Sequence, residues 1–306
     1  MEKEVITKDK PKAKKKKTLS KKAKRLIIIL SVVAVLLFIT VWAIIGNTHL
    51  TVTAFSIESE RIPKAFDGFK IAHVSDLHDS EIGEGHKTLI DKLKQSDPDI
   101  IAITGDLIDR TRTDVEHSLV FVAEAVKIAP CYYVNGNHEI RSGKYEELRA
   151  ALLDLGVTVL ENTNTKIEKD GEYISVLGIN DPFLTTFDET TYDYDAAIVG
   201  EYIKEALVGT EGFKLLLAHH PECFEYYCEY GIDLTLTGHA HGGQFRLPLI
   251  GGLYAPHQGV FPKYEAGLFE DGDARMIVSR GIGNSSFPLR FNNNPELIII
   301  ELDSTR

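Results

Sequence analysis

Side chains that bind metals stand at five places in this sequence, each directly after a short apolar run. The first place is Asp76 and His78, which follow the run at 71–74. Residues i and i+2 of an extended chain point to the same side, so this carboxylate and this imidazole face one spot. The other four places carry the same kinds of group: Gly105-Asp106, Gly136-Asn137-His138-Glu139, Ala218-His219-His220-Pro221 and Gly238-His239-Ala240-His241.

The types of these side chains indicate transition-metal chemistry. Carboxylate, amide and imidazole ligands together suit Mn, Fe or Zn, and the lack of cysteine among them argues against a structural zinc site. Two such ions held close together can clamp both the attacking and the leaving oxygen of a phosphoryl displacement. The candidate ligands are Asp76, His78, Asp106, Asn137, His219, His239 and His241.

The segments between these places must bring them to one edge of a fold. Apolar runs of four or five residues alternate with helical patterns, which is typical of an α/β sheet whose polar ligands lie at the strand ends. Helices are predicted at 86–95, 114–128, 143–155 and 195–208, and further strands at 51–57, 157–160, 164–168, 173–179 and 297–302.

The order of these motifs resembles that of the calcineurin-like metallophosphoesterase family. It reads Asp-x-His, Gly-Asp, Gly-Asn-His-Glu, His and Gly-His-x-His, and it is complete between Asp76 and His241. The resemblance implies an α/β fold, a four-layer α/β/β/α sandwich of two mixed sheets with helices outside. It also implies two divalent transition-metal ions bridged by Asp106. The first ion would be bound by Asp76, His78 and His241, and the second by Asn137, His219 and His239.

His138 is the candidate catalytic residue. By the same resemblance a metal-bridging hydroxide attacks the phosphorus, while His138 contacts the phosphoryl oxygen or protonates the leaving group. Either role requires a donor within hydrogen-bond reach of the phosphate. Glu139 either orients its neighbours from behind or is an ordinary loop carboxylate. His73, in an apolar run, is interpreted as a packed core residue, and His220 as pointing away from the ligands.

The carboxy-terminal stretch 279–292 carries a second resemblance. It is similar to the tail of a membrane-associated bacterial branch of the family, the branch that resembles UDP-diacylglucosamine pyrophosphohydrolases. By this resemblance Arg280, Asn284 and Arg290 would hold a phosphate or sugar head group. A glycine-rich turn with solvated arginines is the alternative interpretation.

The amino-terminal part differs in composition from the rest of the chain. Residues 1–25 hold 12 Lys/Arg and three acids, although the whole chain of 306 residues has a net charge of −11. Residues 26–45 carry no charge and have the length of a helix that crosses a bilayer. The basic residues before this run place the amino terminus in the cytoplasm and the following chain outside. We predict a basic tail at 1–25, an uncleaved transmembrane anchor at 26–46 and one catalytic domain at 50–306.

Together these features predict a phosphoesterase of the cell membrane that acts on a lipid or cell-envelope substrate. The acidic surface does not exclude a phosphate substrate, because two divalent ions would dominate the local field. Two alternatives stay open: a metal-binding scaffold or sensor without turnover, and a phosphodiesterase acting on soluble nucleotides. No nucleic acid and no obligate protein partner are expected. The sequence does not distinguish monoester, diester and pyrophosphate hydrolysis, and it does not identify the metals.

Overall fold

The computed structural model describes residues 19–186, 195, 197–285 and 287–306. The chain divides into two units, residues 1–42 and 43–306. One long helix, α1 (Lys21–Thr48), begins in the first unit, and its apolar side chains are exposed. Among the described helices it alone is long and apolar enough to cross a membrane, as the predicted anchor requires. The predicted basic tail lies mostly outside the described residues.

The second unit alternates strands with helices. Its helices are α2 (Lys87–Ser96), α3 (Val115–Ala125), α4 (Asn137–Ser142), α5 (Tyr145–Asp154), α6 (Phe183–Thr186), α7 (Ala197–Ala206) and α8 (Phe224–Glu229). Its strands are β1 (Thr51–Ser59), β2 (Phe69–Val74), β3 (Ile100–Thr104), β4 (Cys131–Val134), β5 (Thr158–Val159), β6 (Thr163–Lys169), β7 (Glu172–Gly178), β8 (Lys214–Leu217), β9 (Leu234–Thr237), β10 (Arg246–Leu247), β11 (Gly251–Gly252), β12 (Tyr254–Ala255), β13 (Gly259–Val260), β14 (Gly267–Asp271), β15 (Ala274–Val278) and β16 (Glu296–Ser304).

Two six-stranded mixed sheets form the centre of this unit. The strand order is β1-β16-β2-β3-β4-β5 in the first sheet and β14-β15-β9-β8-β7-β6 in the second. Strands β2 to β5 run parallel to one another, and so do β7, β8, β9 and β15. Parallel strands have their carboxyl ends at the same sheet edge. Each sheet therefore collects the residues that follow its central strands in one place.

Three apolar layers hold the sheets and helices together. On β3, Ile101 and Ile103 point outward and pack with helices α2, α3 and α5, whereas Ile100 and Ala102 point inward to the layer between the two sheets. This division follows from the side-chain period of two along a strand. A third layer packs α7 and α8 on the outer face of the second sheet. The four-layer α/β/β/α arrangement implied by the resemblance is confirmed.

The hairpin of β14 and β15 was not predicted from the sequence. It completes the outer edge of the second sheet, where β15 pairs with β9. Strand β14 contains Glu270 and Asp271, two residue types that are depleted in strands, so its sequence carries a weak strand signal. The other predicted elements coincide with observed ones to within a few residues at their ends.

Candidate metal centre

The carboxyl ends of the central strands bring the seven predicted ligands together. In the first sheet β2, β3 and β4 are neighbours, and the ligands Asp76, His78, Asp106 and Asn137 follow them. In the second sheet β8 and β9 are neighbours, and His219, His239 and His241 follow them. All seven side chains are buried. The two sheets thus face each other across one cluster of potential ligand atoms.

One group of atoms contains the predicted ligands of the first ion. His241 Nε2 lies 3.3 Å from Asp76 Oδ1 and 3.1 Å from His78 Nε2. His78 Nε2 also lies 3.5 Å from Asp106 Oδ2. Two ring nitrogens and two carboxylate oxygens therefore converge, and the group formed by Asp76, His78 and His241 is close enough to hold a metal ion.

A second group contains the predicted ligands of the other ion. His219 Nε2 lies 3.3 Å from the same Asp106 Oδ2 and 3.2 Å from His239 Nδ1. Asn137 Oδ1 is buried and has no hydrogen-bond partner among the described residues. A buried amide oxygen without a donor suits a cation ligand, since leaving it unpaired is costly. The donor set fits divalent transition-metal ions, and the assignment of ligands to ions stays a prediction.

Backbone N–H groups hold the two aspartates. His239 donates its N–H to the Asp76 carboxylate at 3.1 Å, and His138 donates its N–H to Asp106 Oδ1 at 2.8 Å. The second of these bonds turns Oδ2 of Asp106 toward both histidine groups. Glu139 in turn accepts from the N–H groups of Asp106 and Gly136, each at 2.7 Å. The sequence left two interpretations of Glu139 open, an orienting group and an ordinary loop carboxylate. These contacts support the orienting role.

The backbone at the centre adopts an uncommon conformation. Asp76, His78, Asp106, His239 and His241 all have φ between 47° and 63°, in the left-handed region that residues other than glycine rarely adopt. Such conformations cost free energy and persist where the surrounding structure holds them. Their concentration at the predicted ligands indicates that the fold fixes these side chains for a function.

Burial and nearby charges shift the pKa values of the predicted ligands in different directions. Burial raises the pKa of the Asp106 carboxyl, but the nearby His219 and His138 outweigh burial and hold the pKa well below its ordinary value. Burial lowers the pKa of His241 to about 3. Burial also acts on His219, but Asp106 outweighs it and raises the pKa of His219 well above its ordinary value.

The outer ring nitrogens of the histidines have partners of their own. His219 Nδ1 lies 2.7 Å from the carbonyl oxygen of Thr104, which fixes Nδ1 as the donor and leaves Nε2 for a metal. His239 Nε2 lies 3.0 Å from His257 Nδ1. Contacts of this kind orient metal-binding imidazoles and set their tautomer. The contact between His239 and His257 was not predicted from the sequence.

His138 is placed as a hydrogen-bond donor toward a cavity. Its Nδ1 accepts a hydrogen bond from the backbone N–H of Arg110 at 3.1 Å, so the neutral ring carries its proton on Nε2. Nε2 lies 3.2 Å from Ser285 Oγ. Burial lowers the pKa of His138 and favours this neutral form. The ring also lies near His78 and Asp106, so its position alone permits a ligand role as well.

A cavity of about 500 Å³ opens over the cluster. His138, Asn137 and Asp106 reach it from the first sheet, and His239 and His241 from the second. Two cations that sequence reasoning missed, Arg110 and Arg141, also line it, together with Phe183, Ala240, Gln244, Tyr254, Pro256, His257, Ser285 and Phe287. Arg110 lies four residues after the ligand Asp106, and Arg141 lies four residues after the ligand Asn137. This spacing is the sequence feature from which the two arginines could have been predicted.

The three residues predicted to bind a substrate head group have partners within the protein. Arg280 forms an ion pair with Glu296, at 2.7 Å between Nη2 and Oε1. Arg290 is buried and donates to the carbonyl oxygen of Arg280 at 2.7 Å and to Asn284 Oδ1 at 3.0 Å. Its Nη2 also lies 3.4 Å from His241 Nδ1. They do not line the cavity described above, and the role predicted for them stays a prediction.

Two histidines kept out of the ligand set occupy separate environments. His73 is buried in β2, where its Nε2 lies 2.8 Å from Thr104 Oγ1. His220 contacts Asp181 and Glu222, each at 2.8 Å, and its ring centroid lies 4.2 Å from that of His239. The position of His73 agrees with its interpretation as a packed core residue, whereas His220 does not point away from the ligands, because its ring lies against that of His239. The sequence also predicts that the loop 181–194 contributes to substrate specificity, and residues 187–194 of this loop lie outside the described residues.

Comparisons with known proteins agree with this geometry. The family model described as calcineurin-like phosphoesterase matches residues 69–243. A Bacillus subtilis (strain 168) protein, uncharacterized metallophosphoesterase YkuE, is 32% identical over 83% of this chain and 85% of its own length. Phosphodiesterase YaeI of Escherichia coli (strain K12) is 30% identical over 76% of this chain and 82% of its own length. A Bos taurus relative, named transmembrane protein with metallophosphoesterase domain, is 25% identical over 84% of this chain and 59% of its own length.

Proposed function

The chain belongs to the calcineurin-like phosphoesterase family, and we propose that it is a membrane-anchored phosphohydrolase with two metal ions. One observation supports the proposal most. Asp106 Oδ2 lies 3.5 Å from His78 Nε2 and 3.3 Å from His219 Nε2, so two groups of ligands share a single carboxylate oxygen. Metal pairs that catalyse phosphoryl displacement lie about 3.5–4 Å apart, and a shared oxygen suits that separation.

The residues around the cavity have different roles in the proposed hydrolysis. Bound divalent ions would acidify a water molecule and neutralise charge on the phosphoryl group. His138 donates its Nε2 proton to a phosphoryl or leaving-group oxygen. Arg110 and Arg141 attract the anionic group to the cavity. Glu139 holds the backbone of Asp106 and Gly136 and thereby keeps Asp106 in place.

We infer that the natural substrate is a phosphate ester or pyrophosphate of a lipid or of the cell envelope. Helix α1 ends at Thr48 and β1 begins at Thr51. The two residues between them span about 7 Å at most. A substrate in the membrane layer is then presented at a high effective concentration, from which a soluble substrate gains nothing. The positively charged residues before α1 favour a cytoplasmic amino terminus and an extracytoplasmic catalytic domain.

A phosphodiesterase acting on soluble nucleotides is the second candidate. The name of the Escherichia coli relative, a phosphodiesterase, supports diester chemistry without specifying a membrane substrate. A metal-binding scaffold is less well supported, since a scaffold needs the ligands but has no use for a proton donor such as His138.

The decisive experiment is a hydrolysis panel with the full-length chain in vesicles and added Mn²⁺, Fe²⁺ or Zn²⁺. The substrates are chromogenic monoesters and diesters, nucleotides and phospholipids. We expect turnover that a chelator abolishes and a content of about two ions per chain at saturation. No turnover on any substrate with two ions bound would favour the scaffold. Protease added outside intact cells should cleave the catalytic domain, and full protection would contradict the proposed orientation.

A further inference from the structure

Exposed apolar side chains concentrate on two loops of the catalytic unit. Leu249 is fully exposed, and Val260 and Phe261 are exposed to 63% and 59%. The complete set, which we call the apolar rim, is Leu249, Ile250, Tyr254, Val260, Phe261, Phe287, Leu289 and Phe291. After position 48, the other large exposed apolar residues in the described chain come singly in the sequence: Val52, Val120, Leu153, Leu184 and Val208. A concentration of this kind marks an interaction surface, whereas single exposed residues do not.

The two loops of the apolar rim form one surface. Arg246 donates its N–H to the carbonyl oxygen of Phe291 at 2.9 Å. The Gln244 side chain donates to the carbonyl oxygens of Phe287 and Leu289, at 3.0 and 2.8 Å. The rings of Phe245 and Phe287 have centroids 5.1 Å apart. These contacts tie the segment after residue 244 to the segment 287–291.

The apolar rim borders the mouth of the catalytic cavity. Tyr254 and Phe287 belong to the rim and also line the cavity, next to His138 and His257. Whatever covers the rim therefore lies at the entrance through which a substrate reaches the metal centre. A soluble substrate has no need of exposed leucine and phenylalanine side chains at that entrance.

The last turn of α1 touches the loop that carries part of the rim. Asn284 donates from Nδ2 to Asn47 Oδ1 at 2.6 Å and to the carbonyl oxygen of Pro288 at 3.3 Å. A Cβ atom at Gly46 would lie 3.1 Å from the carbonyl oxygen of Arg290. The chain that precedes these residues is the apolar segment proposed to lie in the bilayer. The point where that segment joins the catalytic unit is thus beside the rim.

We propose that the apolar rim inserts into the interfacial layer of a membrane and admits the phosphate head group of a lipid from that layer to the cavity. The inference rests on the proposed phosphohydrolase function and adds the way in which the substrate arrives. A bilayer surface is the occupant that agrees with both observations, an apolar entrance and the contacts that Gly46 and Asn47 make beside it. A second copy of this chain is the competing occupant, and the experiments below distinguish the two.

The first test compares two triple variants of the full-length chain. Leu249→Ser, Ile250→Ser and Phe261→Ser remove rim side chains that do not line the cavity. Val120→Ser, Leu153→Ser and Val208→Ser remove exposed apolar side chains elsewhere. Each protein is reconstituted in phosphatidylcholine vesicles that contain phosphatidic acid or phosphatidylglycerol. Turnover of these two lipids is compared with turnover of a soluble chromogenic diester.

We expect the rim variant to lose about 10-fold or more on the vesicle-borne lipid that the native chain hydrolyses, and to stay within about twofold on the soluble diester. The control variant should match the native chain on both. Equal losses on both substrates, or no loss on the lipid, would overturn the inference. If the native chain hydrolyses the soluble diester but neither lipid, the inference fails and the proposed hydrolase stands. If it hydrolyses nothing, the proposed function fails.

The second test measures insertion without turnover. Phe261→Trp is introduced with Trp42→Phe, so that position 261 carries the only tryptophan of the chain. Brominated lipids in the vesicles should quench its fluorescence strongly. Leu153→Trp in the same background serves as the exposed control and should be quenched weakly. Equal weak quenching at both positions, or protection of position 261 by dimerisation that dilution reverses, would overturn the inference.

Discussion

The two sheets contribute different kinds of ligand to the metal centre and hold them by different means. The first sheet supplies the three oxygen ligands Asp76, Asp106 and Asn137 together with one imidazole, His78, and backbone N–H groups fix its carboxylates. The second sheet supplies imidazoles alone, and two of them are held through the outer ring nitrogen. Thr104 provides this contact for His219 and His257 provides it for His239. The carboxylates of the first sheet, the oxygen half, therefore supply the negative charge of the centre. The imidazoles of the second sheet, the imidazole half, must be held in the correct orientation.

Each half is also held in part by the opposite sheet. The backbone N–H of His239, from the second sheet, donates to Asp76 of the first. The carbonyl oxygen of Thr104, in the first sheet, accepts from the ring of His219 in the second. The comparison therefore predicts two kinds of failure. Loss of an oxygen ligand should affect both ions through charge, whereas loss of an orienting contact should affect one ion.

The largest effect is expected from Asp106→Asn. The substitution keeps the shape of the side chain and removes the negative charge shared by both groups of ligands. Several kcal/mol of transition-state stabilisation depend on the ions, so turnover should fall by about 10³-fold or more. Metal analysis should show weaker binding of both ions. Asp233→Asn, a buried aspartate outside the centre, is the control; normal affinity for one ion in Asp106→Asn would contradict the shared role.

His138→Ala tests whether the first sheet also supplies a group that acts on the substrate and does not bind the metal ions. The ring has its Nε2 proton at the cavity, and its Nδ1 is engaged by the Arg110 N–H. Turnover should fall by about 10²-fold or more while the chain still binds two ions. Ser285→Ala removes the neighbouring hydroxyl and should change turnover by a few-fold at most. Loss of one bound ion in His138→Ala would assign His138 to the ligands.

The oxygen half could be predicted from the sequence because its ligands follow strands. Asp106 comes two residues after the buried run 100–104, and Asn137 comes three residues after the run 131–134. Parallel neighbours end at one sheet edge, so a one-dimensional pattern of apolar runs determines which polar residues meet. The same logic applied to His219 and His239, whereas the four-layer fold was implied by the resemblance to the calcineurin-like metallophosphoesterase family.

The outer contacts of the imidazoles could not be predicted in this way. His257 reaches His239 from a loop position where φ is 56°, and Arg290 reaches His241 across 49 residues of chain. Loops that join short strands have no periodic pattern that would reveal where a side chain points. The apolar rim was missed for the same reason, since its members are adjacent only after the loops have folded.

His257→Ala sharpens the comparison, because His257 contacts His239 and none of the oxygen ligands. The tautomer of His239 that presents Nδ1 to the second ion carries its proton on Nε2, where His257 Nδ1 lies at 3.0 Å. Loss of such a contact typically lowers metal affinity by about 10–100-fold. Titration should show this loss for one ion and little change for the other. His117→Ala on α3 is the matched control, and equal weakening of both ions would contradict a role through His239.

The smallest expected effect is a pH-dependent change in stability at His220. It tests whether the charged groups at the centre are confined to the carboxylates of the first sheet. His220 lies against His239, with ring centroids 4.2 Å apart. Burial lowers its pKa, but Asp181 and Glu222 outweigh burial and raise it to about 9. The folded state thus binds a proton more tightly than the unfolded state, whose histidine has an ordinary pKa of about 6.5. The resulting stabilisation is complete below that value and is lost as the pH rises through about 9.

His220→Gln keeps hydrogen-bonding capacity and cannot carry the charge. In urea unfolding of the chelator-treated chain in detergent, the native protein should therefore be more stable than His220→Gln at pH 6. This advantage should shrink between pH 7 and pH 10, where the native His220 loses its proton, because only the charged form gains from both carboxylates. A stability difference that does not change with pH would mean that His220 is neutral. Charge would then be confined to the carboxylates of the first sheet, and the imidazoles of the second sheet would depend only on the contacts that orient them.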